Sequence, residues 1–103
     1  MIVIWVDMED MEVVMDGHAN AERNEEGHDL VCAAASHAVQ AFAYGAQRYG
    51  GVEKDFASGH ARVKIVPQEN RVIEDAKRLM YYLLDSLHLL EHRYPDCIQV
   101  INL

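Results

Sequence analysis

The sequence predicts a small single-domain α+β fold, one sheet packed on two helices, with elements in the order ββαβαβ. Three observations carry this. A period-two pattern runs through Ile2–Asp7, Met11–Asp16 and Ala61–Val66, as in strands with one buried face, and Cys97–Leu103 reads as a final strand. Apolar residues from Val72 to Leu90 recur at three- and four-residue spacing, the period of an amphipathic helix. Glycine and proline interrupt these patterns at Gly17, Gly50-Gly51, Pro67 and Pro95, which sets the boundaries.

Each element has its own justification. Ile2, Ile4 and Val6 form the buried side of the first strand, and Met8-Glu9-Asp10 is a short polar connection. Met11, Val13 and Met15 alternate with Glu12, Val14 and Asp16 in the second strand, which Gly17 ends. Residues 19–28 are charged and lack apolar periodicity, so they read as a surface loop. Asp29 is placed to cap a helix that runs to about Tyr49 and stops at Gly50-Gly51. Alanine-rich and apolar on most sides, this helix is expected to be largely enclosed by its neighbours. Residues 50–60 read as a loop leading into the third strand, Ala61–Val66. Asn70 is expected to cap a second helix running to about Arg93, and Tyr94-Pro95 ends it, since proline cannot continue a helix. Cys97–Leu103 is the last strand.

The 103 residues suit one domain, 1–103, with a single core. The opening apolar run meets Asp7 too soon to span a bilayer, and no basic segment precedes it. A cytoplasmic protein without membrane contact is expected. A net charge of −8 argues against nucleic acid as a partner, because phosphate binding needs clustered Lys and Arg. The acidity is concentrated in the first part of the chain, where nine acids up to Asp29 face Arg23 alone. Such a field favours encounter with a basic partner, although a solvated acidic face would look the same.

The chemistry gathers around Gly17-His18-Ala19 and Gly27-His28-Asp29-Leu30-Val31-Cys32-Ala33-Ala34-Ala35-Ser36. With Asp29 as cap, Cys32 would stand third in its helix, where unpaired N–H groups and the helix dipole favour an anion. His18 ends a strand, and the 14 positions from it to Cys32 allow it to fold back as a base. His28 has no defined direction and His60 stays open, while His37 points elsewhere on the helix. His88 and His92 share a face near a helix C-terminus, where the dipole alone suits them. Ser36 lies one turn beyond Cys32 on the same face and can donate to sulfur, to a substrate carbonyl or back to its own helix. A zinc site of His18, His28 and Cys32 is the weaker reading, because no second thiolate is near, so neither metal nor cofactor is expected. Cys97, at a strand start, reads as a small buried hydrophobe. Without a resolving partner for Cys32, a thiol redox sensor is also the weaker reading.

The double signature of Gly17-His18-Ala19 and Gly27-x-Asp29-x-Val31-Cys32-Ala33-Ala34-x-Ser36 closely resembles the ribosomal-processing cysteine protease family, Prp. The resemblance continues through Lys64–Pro67 and Tyr94-Pro95 to the β-rich end, and so spans nearly the whole chain. It implies a small mixed α/β homodimer that removes a short N-terminal extension from a large-subunit ribosomal protein. It also implies His18 as general base and Cys32 as nucleophile, with Asp29 and Ser36 in support and Gly17 and Gly27 as hinges of the loop. Prophage relatives imply an alternative substrate, a phage structural protein. Ala35 replaces a frequent valine, and the loop is unusually acidic at Glu22, Glu25 and Glu26, which leaves the substrate open. A non-catalytic dimeric interaction module is the rival outside enzymology.

Overall fold

The computed structural model describes residues 1–17 and 28–103. Five strands form one sheet in the order β3-β4-β2-β1-β5. In chain order the elements are β1 (Ile2–Asp7), β2 (Glu12–Asp16), α1 (His28–Ala46), β3 (Gly50–Ala57), β4 (His60–Pro67), α2 (Ile73–Arg93) and β5 (Ile98–Asn102). A 3-10 turn at Asn70–Val72 leads into α2. The α+β class and the sheet-on-two-helices architecture are as the sequence predicts, with one strand more.

β1 and β2 form a hairpin whose register sets Asp7 opposite Glu12 and Val3 opposite Asp16. The Asp7 carboxylate accepts the N–H groups of Glu9 and Asp10, both at 3.1 Å, which holds the turn without an Asn-Gly pair. Met11 takes a positive φ of 52° to close it. β5 returns parallel to β1, and α2 supplies the connection between β4 and β5.

Side chains facing the helices make the core. Ile2, Ile4 and Val6 of β1 meet Val13, Ala61, Val63 and Ile65 from β2 and β4, all fully or almost fully buried. Onto them pack Val31, Ala35, Val39, Phe42, Ala43 and Ala46 of α1, at the helical spacing of a single face. Ala76, Met80, Leu83, Leu84 and Leu87 of α2 complete the layer. Cys97 is buried among them, as its apolar surroundings predict. Among the described residues no helix is long and apolar enough to cross a membrane.

Four local expectations are corrected. Residues 50–57 form β3 and not a loop; Gly50-Gly51 and the charged Glu53-Lys54-Asp55 hide the strand because it lies at the sheet edge with little burial to enforce alternation. α1 begins at His28, so Asp29 belongs to its first turn and is not its cap, and the helix gives way to a turn after Ala46. α1 is also buried on one side only: Ala33, Ala34, His37, Gln40, Ala41 and Tyr44 are exposed. Alanine stripes do not distinguish an enclosed helix from a surface one. Asn70 lies inside the 3-10 turn, and α2 starts at Ile73 without a side-chain cap.

Candidate active site

Cys32 is half-buried on α1 and lines a cavity of about 240 Å³ between that helix and the ends of β2, β3 and β4. Ser36, one turn further on, lines it too, followed by Val39 and Gln40. Helical spacing puts these side chains along one strip of α1, from its first turns inward. Ile2, Met15 and Ala61 form an apolar floor from the sheet, and Phe56 and Ser58 close the side. Because the helix starts at His28, Cys32 is its fifth residue, two places deeper than an Asp29 cap would set it. Its own N–H therefore lies past the four unpaired donors of the helix start.

Gly17 directly follows β2. Its φ is +102°, and a Cβ there would lie 2.3 Å from the Met1 carbonyl oxygen. Its N–H donates to the carbonyl of Gly59 at 2.9 Å, pinning the end of β2 to the β3–β4 turn at the cavity. Gly17, the residue immediately before His18, thus lies at the cavity. His18 and Gly27 themselves lie outside the described residues, and so does the capping bond expected of the Asp29 side chain. The structure therefore brings Gly17, Cys32 and Ser36 to one cavity, with the Asp29 backbone in the helical turn just before Cys32.

Of the other described histidines, His60 borders the same cavity and His37, His88 and His92 lie elsewhere. His60 pairs with Asp16, Nδ1 to Oδ1 at 2.5 Å, across the β2–β4 register. His60 lines the cavity that holds Cys32 beside Gly59 and Ala61, while strand alternation turns its ring away from the Ala61 side and toward Asp16. His37 lines a groove between α1 and α2. His88 lies 3.3 Å from Glu91 on α2, and His92 is exposed in that helix's last turn. The outer sheet face carries charge as well: Arg62 donates to Glu12 through Nε at 2.8 Å and reaches Glu53 at 3.7 Å. Among the described residues no three His, Cys, Asp or Glu side chains converge as a metal ion would require.

The wall supplied by Phe56, Ala57 and Ser58 belongs to a span that the sequence pattern predicts to be loop. The Ser58-Gly59 pair was the available signal: a turn dipeptide between two β-compatible stretches. Gly59 occupies the positive-φ place of that turn at 75°.

The family model described as cysteine protease Prp matches residues 1–99. The ribosomal processing cysteine protease Prp of Staphylococcus aureus is 31% identical over 93 residues, covering 86% of this chain and 83% of that protein. A crystal structure of the S. aureus protease with a covalently linked product peptide matches with a TM-score of 0.76 and 27% identity over the whole of both chains. Another, with a substrate peptide, matches with a TM-score of 0.82 and 24% identity over the whole of both chains, which shows the shared fold.

Proposed function

The chain belongs to the cysteine protease Prp family and is thus a cysteine protease, and from that premise we propose that it removes a short N-terminal extension from a large-subunit ribosomal protein. Cys32 is the nucleophile of this proposal and His18 its general base. His18 takes the thiol proton, and the sulfur attacks the scissile carbonyl to give a tetrahedral adduct. N–H groups at the start of α1 stabilise the oxyanion, as oriented backbone donors do in acyl transfer. The protonated His18 then returns its proton to the leaving amine, and water, with His18 again as base, hydrolyses the thioester. Asp29 and Ser36 support the site, and Gly17 and Gly27 bracket the segment that carries His18.

The single observation behind this reading is the shared cavity of Cys32, Ser36 and Gly17, with an apolar floor that can take a side chain of an extended peptide. The separate settings of His37, His88 and His92 leave His18 and the cavity-lining His60 for this role, and the Gly17-His18-Ala19 signature favours His18 as the base. The curated S. aureus relative is named for ribosomal processing, which supports the substrate class. A homodimer belongs to the same proposal. The groove between α1 and α2, where Ala34, Ala38 and Ser86 line two adjoining hollows flanked by exposed Tyr82 and Leu89, suits a second copy.

The test is incubation of the protein, and of Cys32→Ala, with the host's ribosomal protein bearing its N-terminal extension. Mass spectrometry should find a shortened product only with the thiol present. Equal cutting by both proteins, or none by either, refutes the assignment. Sedimentation of the wild type and of Ala38→Glu tests the dimer; a monomeric wild type refutes it.

A further inference from the structure

The two edges of the sheet are treated differently. At the β5 edge the Glu91 carboxylate of α2 accepts the outward N–H of Val100 at 2.6 Å, which occupies the middle of that strand. At the β3 edge no described residue does the same, and the ladder fixes which groups are left. Ile65 N donates to Met11 O at 3.0 Å and Gly17 N to Gly59 O at 2.9 Å, so odd-numbered residues of β4 turn their backbone groups toward β2. His60, Arg62 and Lys64 therefore turn theirs toward β3, opposite Ala57, Asp55 and Glu53. In an antiparallel ladder the intervening residues face the other way. The N–H and C=O groups of Val52, Lys54 and Phe56 are thus directed away from the sheet.

This open row leads to the nucleophile. Phe56 ends it, and Phe56, Ala57 and Ser58 line the cavity that holds Cys32. A peptide laid along β3 would leave the edge at the thiol. We propose that the outer edge of β3 is the docking track of the substrate, an extended peptide that adds to the sheet as a further strand and delivers its scissile bond to Cys32. The proposal rests on the protease reading. Strand addition draws affinity from main-chain hydrogen bonds and specificity from alternate side-chain pockets. The cavity beside Phe56 is such a pocket for a single side chain of the peptide. The charged run Glu53-Lys54-Asp55 suits an edge that must stay unpaired until substrate arrives, because charges discourage edge-to-edge association between copies.

Lys54→Pro tests the track. The lost N–H is an outward one, so the β3–β4 ladder keeps its bonds, and proline is tolerated on strand edges in that setting. In the Cys32→Ala background, calorimetry measures binding of a synthetic peptide spanning the ribosomal protein's extension and cleavage site. Lys54→Pro should weaken binding about three- to tenfold, the worth of one main-chain hydrogen bond, while Lys54→Ala stays within about twofold. A series of the same peptide, N-methylated at successive amides, should weaken binding at every second position. This series needs no enzyme variant and decides the matter if Lys54→Pro does not fold. Unchanged affinity in a folded Lys54→Pro, or no alternation in the N-methyl series, overturns the track while wild-type cleavage of that peptide leaves the protease reading standing. No binding and no cleavage overturns both.

Discussion

Two Gly→Ala substitutions in this chain should have opposite signs. Gly17 has a φ of +102°, and a Cβ placed there would lie 2.3 Å from the carbonyl oxygen of Met1. The backbone conformation alone costs an alanine about 1–3 kcal/mol. Relief by moving Met1 is restricted, because Ile2 N is bonded to Cys97 O at 2.8 Å where β1 meets β5. With the residual strain, Gly17→Ala should lose about 2–4 kcal/mol. For a domain of this length that lowers the melting temperature by roughly 10–20 °C. Gly45, in the last turn of α1, would place its Cβ 3.6 Å from a Leu79 methyl, an ordinary contact. Alanine there reduces the freedom of the unfolded chain without strain, so Gly45→Ala should gain about 0.4–1 kcal/mol. Urea denaturation followed by far-ultraviolet circular dichroism reads both. A loss under about 0.5 kcal/mol at Gly17 would refute the strained exit from β2, and a loss at Gly45 would refute the open packing against Leu79.

Further outcomes follow from the same geometry. Iodoacetamide on the native protein should alkylate Cys32, which lines the cavity, while Cys97, 6% exposed, reacts only after unfolding; peptide mapping by mass spectrometry reads this, and equal labelling contradicts the burial. His60→Ala should keep peptide cleavage within about twofold and cost under about 1 kcal/mol of stability, as exposed ion pairs do. A collapse of activity comparable with that of Cys32→Ala would instead make His60 the base. Glu91→Ala should cost about 1–2 kcal/mol and speed hydrogen exchange at the Val100 amide, whose acceptor it removes. Unaltered exchange there would show that the β5 edge is protected by something else.

The sequence by itself determined the elements whose periodicity is enforced by burial. β1 alternates because Ile2, Ile4 and Val6 face the helices, and α2 is periodic because Ala76, Met80, Leu83 and Leu87 meet the sheet. It also carried the two-part signature that leads to Cys32 and His18, since small residues and chemistry at fixed spacing are local properties of the chain. Where burial is weak, the pattern is mute. β3 pairs on one edge only and is largely exposed, so its side chains report little of the strand that the hairpin imposes. Only tertiary structure decided that Phe56 and Ser58 wall the cysteine cavity, because they reach it through pairing with a strand later in the chain. Pairing across the sheet likewise decided that His60, a residue of the cavity lining, joins Asp16, 44 positions away. Exposure of α1 followed the same rule, for an alanine fits equally against a neighbour or against water.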